Sequence, residues 1–403
     1  MRIAIIGLGA MGQPIARRLA AADALELTLY DVDPARADAL AGLGRRATSV
    51  ADAISDADVI LTILPADEHV RLVADELAPS ARPGQVYADL STIAPGTIET
   101  VASTLADVGV AAVSVSITRG TQAAAAGELA LFVSRDEPAL RPALQAIASE
   151  LRFVEGLGAV KALKIANNIV VACSNIAICE ALVLGKLLGL TPQAIATHLG
   201  EHGAESWVLS NHIVAFVLPG DLGPGHFSTL NMAKDVRLFL ELADERGVVS
   251  PMAGVAASCY RGTIAAGFGE NYHPIVIRWL ERIASAATRL RPLARSEAEV
   301  LARIARGVTA AQAMASLDAL VLLDRFGIDS HSAAGHLAKG SAGNATLASV
   351  ARHAGRDHGA YDPGASSEAL QAILELAEEA SAPLFMHEAA RTAALLASSL
   401  DRT

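Results

Sequence analysis

The sequence predicts an α/β domain with a doubly wound, mostly parallel sheet, followed by an all-α region that is internally duplicated. In residues 1–157 short apolar strands alternate with amphipathic helices, and after Gly158 the β pattern stops. Two helical stretches of the second half also align without gaps. Alternating strands and helices place parallel strands in one sheet with helices on both faces. We therefore expect three domains, 1–157, 158–287 and 288–403.

The strands of the first domain are read from short apolar runs bounded by turn residues. They are "RIAIIG", "LELTLYD", "ADVILTIL", "QVYADLS", "AAVSVSI", "LALFVS" and "LRFVEG". The helical remainder is broken at "LGLTP", "LPGDLGPG", "RGVVSP" and "GENYHP". Glycine and proline at these breaks end one helix before the next begins.

Composition narrows the possible partners. The 403 residues are 52% hydrophobic and 19% charged, which is typical of a globular protein with an ample core. The net charge is −11 and only five residues are lysine, so no basic stripe is available for nucleic acid. We expect neither nucleic acid nor a membrane as a partner.

Cysteine usage and the apolar segments predict a cytoplasmic protein. Cys173, Cys179 and Cys259 form no C-x-x-C pair, and the first residues lead directly into a strand rather than a secretory signal. The apolar run of residues 165–190 is interrupted by amides and charges, which indicates a buried helix rather than a membrane span.

The segment "IAIIGLGAMGQPIARRL" carries G-x-G-x-x-G between a strand and a helix that we expect to open at Ala10. In this context the glycines let a pyrophosphate approach the amides of the helix N-terminus, which predicts a dinucleotide site of Rossmann type. The predicted contacts in the turn are Gly7, Leu8, Gly9, Ala10, Met11 and Gly12. Asp31 ends the next strand, where an acid accepts the adenosine ribose hydroxyls. NAD is favoured over NADP because a ribose 2′-phosphate would face the Asp31 carboxylate, and the next residue is Val32 rather than a cation. Nearby Arg36 keeps NADP open.

From Met1 to about Ala286 the chain resembles the β-hydroxyacid dehydrogenases, which include 3-hydroxyisobutyrate and tartronate semialdehyde enzymes. "GLGAMGQPIARRL", "LP", "DLSTIAPGTIE", "KALKIANN" and "FSTLNMAKDVRLFLELADERGVVSPM" are similar to that family's motifs and occur in the same order. The resemblance implies cofactor contacts at Leu64, Pro65, Thr92 and Lys234. It also implies that Lys164 and Asn168 are catalytic and contact substrate.

The residues of "KALKIANN" also support this chemistry by themselves. Lys164 and Asn168 are four residues apart and share a helix face. Carbonyl reduction requires a proton donor at the oxygen, and alcohol oxidation requires the same group as base, which a lysine provides and an arginine does not. The alternative for Lys164 is a lysine that extends its ammonium to solvent. We interpret Lys161 as a solvated or pKa-tuning neighbour.

One departure from the family pattern concerns the substrate. "SVSITRG" stands where the family has D-A-P-V-S-G-G, so that Thr118, Arg119 and Gly120 are the predicted substrate-binding residues. Arg119 adds a cation of fork geometry that could grip a carboxylate, sulfonate or phosphonate. The alternative is an arginine turned outward to solvent or to the appended domain.

A second pattern, "HLGEH" at residues 198–202, fits the H-x-x-E-H arrangement of zinc hydrolases. Gly200 lies between the histidines and weakens the helix that would have to hold the metal ligands. We therefore predict no metal site.

The duplicated region appears in "EALVLGKLLGLTPQAIATHLG" (180–200) and "DALVLLDRFGIDSHSAAGHLA" (318–338). In the second copy Ala302 and Arg306 stand at the positions of Lys164 and Asn168, and Glu368 lies near that of Lys234. The copy thus keeps the packing and loses the chemistry. We expect it to take the place of a dimer partner within one chain, although a homodimer through other faces stays open.

The predicted function is an NAD-dependent oxidoreductase that interconverts a short 3-hydroxy acid and its semialdehyde, with Lys164 as general acid and base. One alternative is a reductase or dehydrogenase of an anionic C3 semialdehyde, with its sulfonate or phosphonate recognised by Arg119. An alternative of another class is a non-catalytic dinucleotide-binding scaffold.

Overall fold

The computed structural model describes residues 1–287, 295–355 and 361–400. The chain divides into two compact units, Met1–Lys164 and Ile165–Thr403. The two units meet after Lys164, seven residues later than the predicted boundary at 157. This position lies inside a long helix that begins at Leu157. The predicted boundary at 287/288 meets residues 288–294, which lie outside the described part of the chain.

The first unit contains one sheet of eight strands with the order β3-β2-β1-β4-β5-β6-β7-β8. The strands are β1 (Arg2–Ile6), β2 (Glu26–Tyr30), β3 (Arg45–Arg46), β4 (Val59–Thr62), β5 (Val86–Asp89), β6 (Ala111–Thr118), β7 (Leu129–Val133) and β8 (Ala148–Phe153). All neighbours pair in parallel except β6 and β7, which are antiparallel. The predicted mostly parallel sheet is confirmed.

Helices cover both faces of this sheet. They are α1 (Gly12–Ala20), α2 (Pro34–Asp38), α3 (Val50–Ile54), α4 (Asp67–Leu77), α5 (Pro95–Ala106), α6 (Gly120–Ala126) and α7 (Arg141–Ile147), with a short 3-10 helix at Ala78–Ser80. Alternate residues of β1 enter different cores, Ile3 and Ile5 on the face of α1 and Ala4 and Ile6 on the other face. Because a strand alternates its side chains, this division shows the doubly wound arrangement directly.

The remaining elements are helical. They are α8 (Leu157–Leu187), α9 (Pro192–Glu201), a π-helix (Leu209–Val217), α10 (Thr229–Glu245), α11 (Pro251–Ala265), a 3-10 helix (His273–Ile275), α12 (Val276–Ala287), α13 (Glu297–Asp324), α14 (Ser330–Ala338), α15 (Leu347–Ala354), α16 (Pro363–Ala380) and α17 (Phe385–Leu400). The predicted α/β domain followed by an all-α region is therefore confirmed.

Two of these helices, α8 and α13, are long and apolar enough to cross a membrane by length and composition. Their apolar windows are 100% and 78% buried inside the protein. Burial of this extent identifies them as core helices, since a membrane span would present its apolar surface to lipid.

The last helix is anchored to the middle of α8. Glu180, which is buried, accepts hydrogen bonds from the backbone N–H of Met386 at 2.9 Å and of His387. The His387 Nδ1 atom lies 2.8 Å from the same carboxylate. Helix α17 also packs against α11, and α13 packs against α9, so the second unit has a continuous helical core.

Candidate active site

Two of the three glycines in the turn after β1 leave no room for a Cβ atom, so only glycine fits there. Gly7 has φ +98°, and a Cβ atom there would lie 2.3 Å from the carbonyl oxygen of Ile63. A Cβ atom on Gly12 would lie 2.0 Å from the carbonyl oxygen of Gly7. Gly9 is different, because only the Arg36 guanidinium comes within 3.7 Å of its Cβ position. The turn thus packs tightly beneath and stays open above, as a pyrophosphate requires.

Helix α1 begins at Gly12, two residues later than the predicted start at Ala10. Residues 9–11 form a turn whose carbonyls already accept helical hydrogen bonds, including Gln13 N–H to Gly9 O at 3.1 Å. A difference of this size is usual at a helix end.

Asp31 ties this turn to the end of β2. Its carboxylate accepts hydrogen bonds from the backbone N–H of Leu8 at 2.7 Å and of Asp33 at 2.9 Å. The Arg36 guanidinium lies 3.7 Å from the same carboxylate. The predicted ribose acceptor is therefore also a structural support for the glycine turn, and a cation stands beside it.

Lys161 is buried in the first unit, which differs from the sequence interpretation. Its side chain is 0% exposed, and its ammonium donates to Asp89 Oδ1 at 2.8 Å and to the carbonyl oxygens of Asp89, Ser91 and Val115 at 2.9–3.0 Å. The interpretation of Lys161 as a solvated neighbour is wrong. Its charge faces the Asp89 carboxylate, and its hydrogen bonds join the start of α8 to the end of β5 and the middle of β6.

Asp89, which the motif comparison did not single out, organises the loops around this lysine. Its carboxylate accepts from Thr62 Oγ1 at 2.8 Å and from the backbone N–H and hydroxyl of Ser91 at 3.1 and 2.9 Å. The Ser91 hydroxyl oxygen accepts from Leu64 N–H at 2.9 Å. One buried carboxylate therefore sets the positions of the loop that carries Leu64 and Pro65 and of the loop that continues to Thr92.

The side chains after β6 that the sequence predicted for substrate have hydrogen-bond partners on neighbouring elements of the sheet. The Thr118 hydroxyl donates to the carbonyl oxygen of Ala130 on β7 at 3.0 Å, and the residue is 2% exposed. Arg119 takes φ +79°, and its guanidinium donates to Glu128 O, to Ser149 Oγ and to Glu150 Oε2, the last at 2.9 Å. Both side chains are committed to β7 and β8 or to the loop before β7.

These contacts give both side chains partners within the first unit, and substrate binding by Thr118 and Arg119 stays a prediction. The Arg119 guanidinium pairs with the Glu150 carboxylate of the same unit, and its side chain keeps 31% of its surface exposed. Gly120, with φ +77°, begins α6 and keeps the tight turn that was predicted.

Lys164 lies on α8 three residues after Lys161, and it is half-buried where Lys161 is fully buried. Four residues later on the same helix Asn168 is 4% exposed. The two predicted catalytic residues are therefore one helical turn apart along the same helix.

In the second unit the predicted residues Asn168 and Lys234 meet through Asp235, which the sequence interpretation missed. The Asn168 Nδ2 atom donates to Asp235 Oδ2, and Lys234 Nζ lies 3.1 Å from Asp235 Oδ1. Asp235 is 1% exposed. Its position next to Lys234 in the motif "AKDV" was the available signal.

The two histidines of "HLGEH" form a stacked pair and no metal site. Their ring centroids are 3.8 Å apart with planes 13° from parallel, and α9 ends at Glu201, before His202. Burial, and secondarily His202, lowers the pKa of His198. Among the described residues, no group of three His, Cys, Asp or Glu side chains could hold a metal ion.

The doubly wound sheet, the glycine turn and the acid at the end of β2 define an NAD(P)-binding oxidoreductase. Residues 2–178 match the family model for the NAD-binding domain of 6-phosphogluconate dehydrogenase. Residues 158–280 match the model described as NAD-binding of NADP-dependent 3-hydroxyisobutyrate dehydrogenase.

Similar proteins are named as dehydrogenases, in agreement with these family models. The chain is 32% identical to the NAD-dependent L-serine dehydrogenase of Pseudomonas aeruginosa, over 68% of this chain and 96% of that one. It is 29% identical to 2-(hydroxymethyl)glutarate dehydrogenase of Eubacterium barkeri, over 71% and 97%. A solved structure of Mycobacterium tuberculosis 3-hydroxyisobutyrate dehydrogenase with L-serine shares 30% identity with a TM-score of 0.63, over 69% and 98%.

The chain belongs to the β-hydroxyacid dehydrogenase family, and it is an NAD(P)-dependent dehydrogenase that acts on a hydroxyl group. Both family models end at or before residue 280, so the last helices lie outside these matches.

Proposed function

We propose that the enzyme interconverts a short 3-hydroxy acid and its semialdehyde with NAD, and that Lys164 is the general acid and base. The observation that carries this proposal is the contrast between the two lysines of "KALKIANN". Lys161 is fully buried and held by Asp89, whereas Lys164 is half-buried and one turn before Asn168. This contrast supports Lys164, rather than Lys161, as the lysine that acts on the substrate.

The substrate class is inferred from what the relatives' substrates share. The names of three relatives refer to L-serine, 2-(hydroxymethyl)glutarate and 3-hydroxyisobutyrate. Each of these molecules has a primary alcohol on the carbon next to the one that bears a carboxylate. They differ in the substituent on that central carbon, which is an amino, a carboxyethyl or a methyl group. We propose the shared part, HOCH2–CH–COO⁻, as the portion recognised by this enzyme.

The residues of the glycine turn fit the cofactor. Gly7 and Gly12 are required by backbone contacts within the turn, and the position above Gly9 is open toward Arg36. The proposed cofactor residues are Gly7, Leu8, Gly9, Ala10, Met11, Gly12, Asp31, Leu64, Pro65, Thr92 and Lys234. The nicotinamide dinucleotide, when bound, accepts the hydride from the alcohol carbon or returns it to the aldehyde. We propose NAD because a 2′-phosphate would add negative charge beside the buried Asp31 carboxylate, and NADP stays the alternative because the Arg36 guanidinium lies 3.7 Å from that carboxylate.

The side chains of α8 act on the substrate oxygen. During oxidation the Lys164 amine takes the proton from the hydroxyl group, and during reduction its ammonium returns a proton to the carbonyl oxygen. Asn168 holds the same hydroxyl group, and its amide is itself held by Asp235. A positioned hydrogen bond at the oxygen that gains charge stabilises the transition state.

Replacement of Lys164 tests this proposal. Lys164→Ala should lower kcat by about 10²-fold or more, since that is the usual contribution of a positioned acid or base. Turnover should be measured with L-serine, 3-hydroxyisobutyrate and 2-(hydroxymethyl)glutarate and with NAD and NADP. The Kd of the cofactor, measured by calorimetry, should stay close to the wild-type value.

Lys186→Ala is the matched control because Lys186 lies on the same helix with its side chain 63% exposed, paired with Glu281 at 3.0 Å. This variant should keep full turnover. An active Lys164→Ala enzyme would remove the lysine from the mechanism.

The alternative substrate class, a sulfonated or phosphonated C3 semialdehyde held by Arg119, loses its main support in this geometry. The Arg119 guanidinium is engaged by Glu150 and by two further acceptors. A carboxylate-bearing substrate remains the proposal that the relatives favour.

We also propose that residues 288–403 derive from a duplication of the helical domain and take the place of a partner subunit. Two features support the duplication. Helices α9 and α14 both begin one residue after a side-chain N-cap, Thr191 and Asp329, and these two residues correspond in the gap-free alignment. Each of the two short helices also follows a long buried helix, α8 or α13.

A further inference from the structure

Asn167, the neighbour of the proposed catalytic Asn168, is 0% exposed and is held by a loop more than 170 positions away in the sequence. The loop follows α14 and is called here the 340–345 loop. Its Ser341 Oγ accepts a hydrogen bond from Asn167 Nδ2 at 2.8 Å. The backbone N–H of Ala342 donates to Asn167 Oδ1 at 3.1 Å. A Cβ atom on Gly340 would lie 2.8 Å from Asn167 Oδ1, so glycine lets the loop approach this closely.

The same amide passes this constraint to Asn168. Asn167 Nδ2 also donates to Asn168 Oδ1 at 3.1 Å, and Asn168 Nδ2 donates to Asp235. A carboxylate can only accept, and a backbone N–H can only donate, so the two ends of this chain fix the direction of every bond between them. Reversal of either amide would place two acceptors or two donors together in a buried site, which is costly.

The loop is in turn fixed at its far end. The backbone N–H of Trp207 donates to Gly343 O at 2.8 Å, and Ala345 N–H donates to Glu205 O at 3.1 Å. Ser206 and Asn344 form an antiparallel bridge between these contacts. Asn344 Nδ2 also donates to Ser316 Oγ at 3.1 Å. The loop is therefore a short, rigid strap rather than a mobile connection.

We propose that the 340–345 loop is part of the catalytic machinery, with Ser341 and the Ala342 N–H as positioning groups that fix the orientation of the Asn168 amide through Asn167. This inference rests on the proposed role of Asn168 in the dehydrogenase reaction. It assigns to the C-terminal helical region, which lies beyond both family models, an effect on the reaction that passes through Asn167.

Kinetics of Ser341→Ala test the positioning role. This change removes the hydroxyl acceptor and leaves Asn167 Nδ2 with one partner, so kcat should fall about three- to tenfold, the range for one net hydrogen bond. The Kd of the cofactor should not change, because the change removes no hydrogen bond of a proposed cofactor residue. Ser341→Thr keeps the hydroxyl group and should restore most of the lost kcat.

Two matched variants separate positioning from general loosening. Ser316→Ala removes another anchor of the same loop, through Asn344, without touching Asn167, and should keep kcat near the wild-type value even where the thermal midpoint falls. Ser332→Ala changes an exposed serine of α14 and should alter neither quantity. A Ser341→Ala enzyme with wild-type kcat, or a Ser316→Ala enzyme with an equal loss, overturns the proposal.

Hydrogen exchange measured by mass spectrometry tests the contact without any turnover. In the wild type the peptide that contains Ala342 should exchange slowly, and in Asn167→Ala it should exchange at least tenfold faster, because the N–H loses its acceptor. Unchanged exchange would show that Asn167 does not hold the loop. Failure of the lysine mechanism is visible separately, since Lys164→Ala then keeps turnover while Ser341→Ala still loses it.

Discussion

Replacement of Lys161 by methionine should destabilise the cofactor domain more than any surface change on the same helix. Methionine has a similar length but no charge, so Lys161→Met leaves the Asp89 carboxylate buried without its cation. The change also removes the hydrogen-bond donor of three carbonyl oxygens. Removal of one partner from a buried ion pair costs about 3–5 kcal/mol. Thr62 and Ser91 still donate to Asp89, which places the expected loss near the lower end of this range.

A loss of about 3 kcal/mol is a large part of the stability of an ordinary domain, which is roughly 5–15 kcal/mol. The double variant Lys161→Met with Asp89→Asn should recover part of the loss, since the uncompensated charge is then absent. The difference between the double variant and the sum of the single variants measures the coupling, expected at about 1–3 kcal/mol.

Unfolding of the two units in urea can be measured separately because of where the tryptophans lie. Both tryptophans, Trp207 and Trp279, lie in the second unit, so their fluorescence in urea reports that unit. Loss of cofactor binding in the same urea series reports the first unit. Lys161→Met should shift the binding transition to lower urea by far more than the fluorescence transition, and Lys186→Met serves as the exposed control. A binding transition within about 0.5 kcal/mol of wild type would refute the argument, because that is the range of ordinary surface changes.

Two further predictions concern Arg119 and Asp318. Arg119→Gly relieves a left-handed backbone worth about 1 kcal/mol and loses a partly exposed pair with Glu150 worth about 0–1 kcal/mol, so stability should change little. KM for the hydroxy acid should stay within about twofold, whereas loss of a true anion contact of about 1.5–3 kcal/mol would raise it more than tenfold. Burial raises the pKa of Asp318 to about 7, with a hydrogen bond from Ser250 acting in the opposite direction. The folded protein thus holds this proton more tightly than the unfolded chain, so the contribution is full below about pH 4 and is lost as pH rises through 7. Asp318→Asn should flatten the decline of the thermal midpoint between pH 4 and 7, and an unchanged slope would contradict the assignment.

Local pattern was sufficient for the sheet and the glycine turn. Strands buried on both faces read as apolar runs, and six of the eight strands lie on the predicted runs and extend beyond them by at most one residue, whereas β8 overlaps its run only at residues 151–153 and has no buried residue. The missed strand, β3, consists of two exposed arginines, Arg45 and Arg46, and carries no apolar signal. The turn at Gly7 and Gly12 was predictable because its requirement for glycine comes from atoms close in sequence or on the adjacent strand end.

The contacts of individual polar side chains were not predictable, because their partners are distant in the sequence. Helical spacing placed Lys161 and Lys164 near one side of α8, but only the fold shows that the carbonyls of β5 and β6 surround the first of them. The partner of Arg119 likewise lies on β8, and that of Asn167 follows α14. The internal duplication stays a prediction.

The strap between Asn167 and Ser341 also bears on how this enzyme can change over generations. In a symmetric dimer of identical chains, a substitution alters both copies of an interface at once, so the two sides cannot be adjusted independently. Here the contact is made once, between two segments of one polypeptide. A substitution in one segment therefore does not impose the same substitution on the other, and each side of this contact can be adjusted separately.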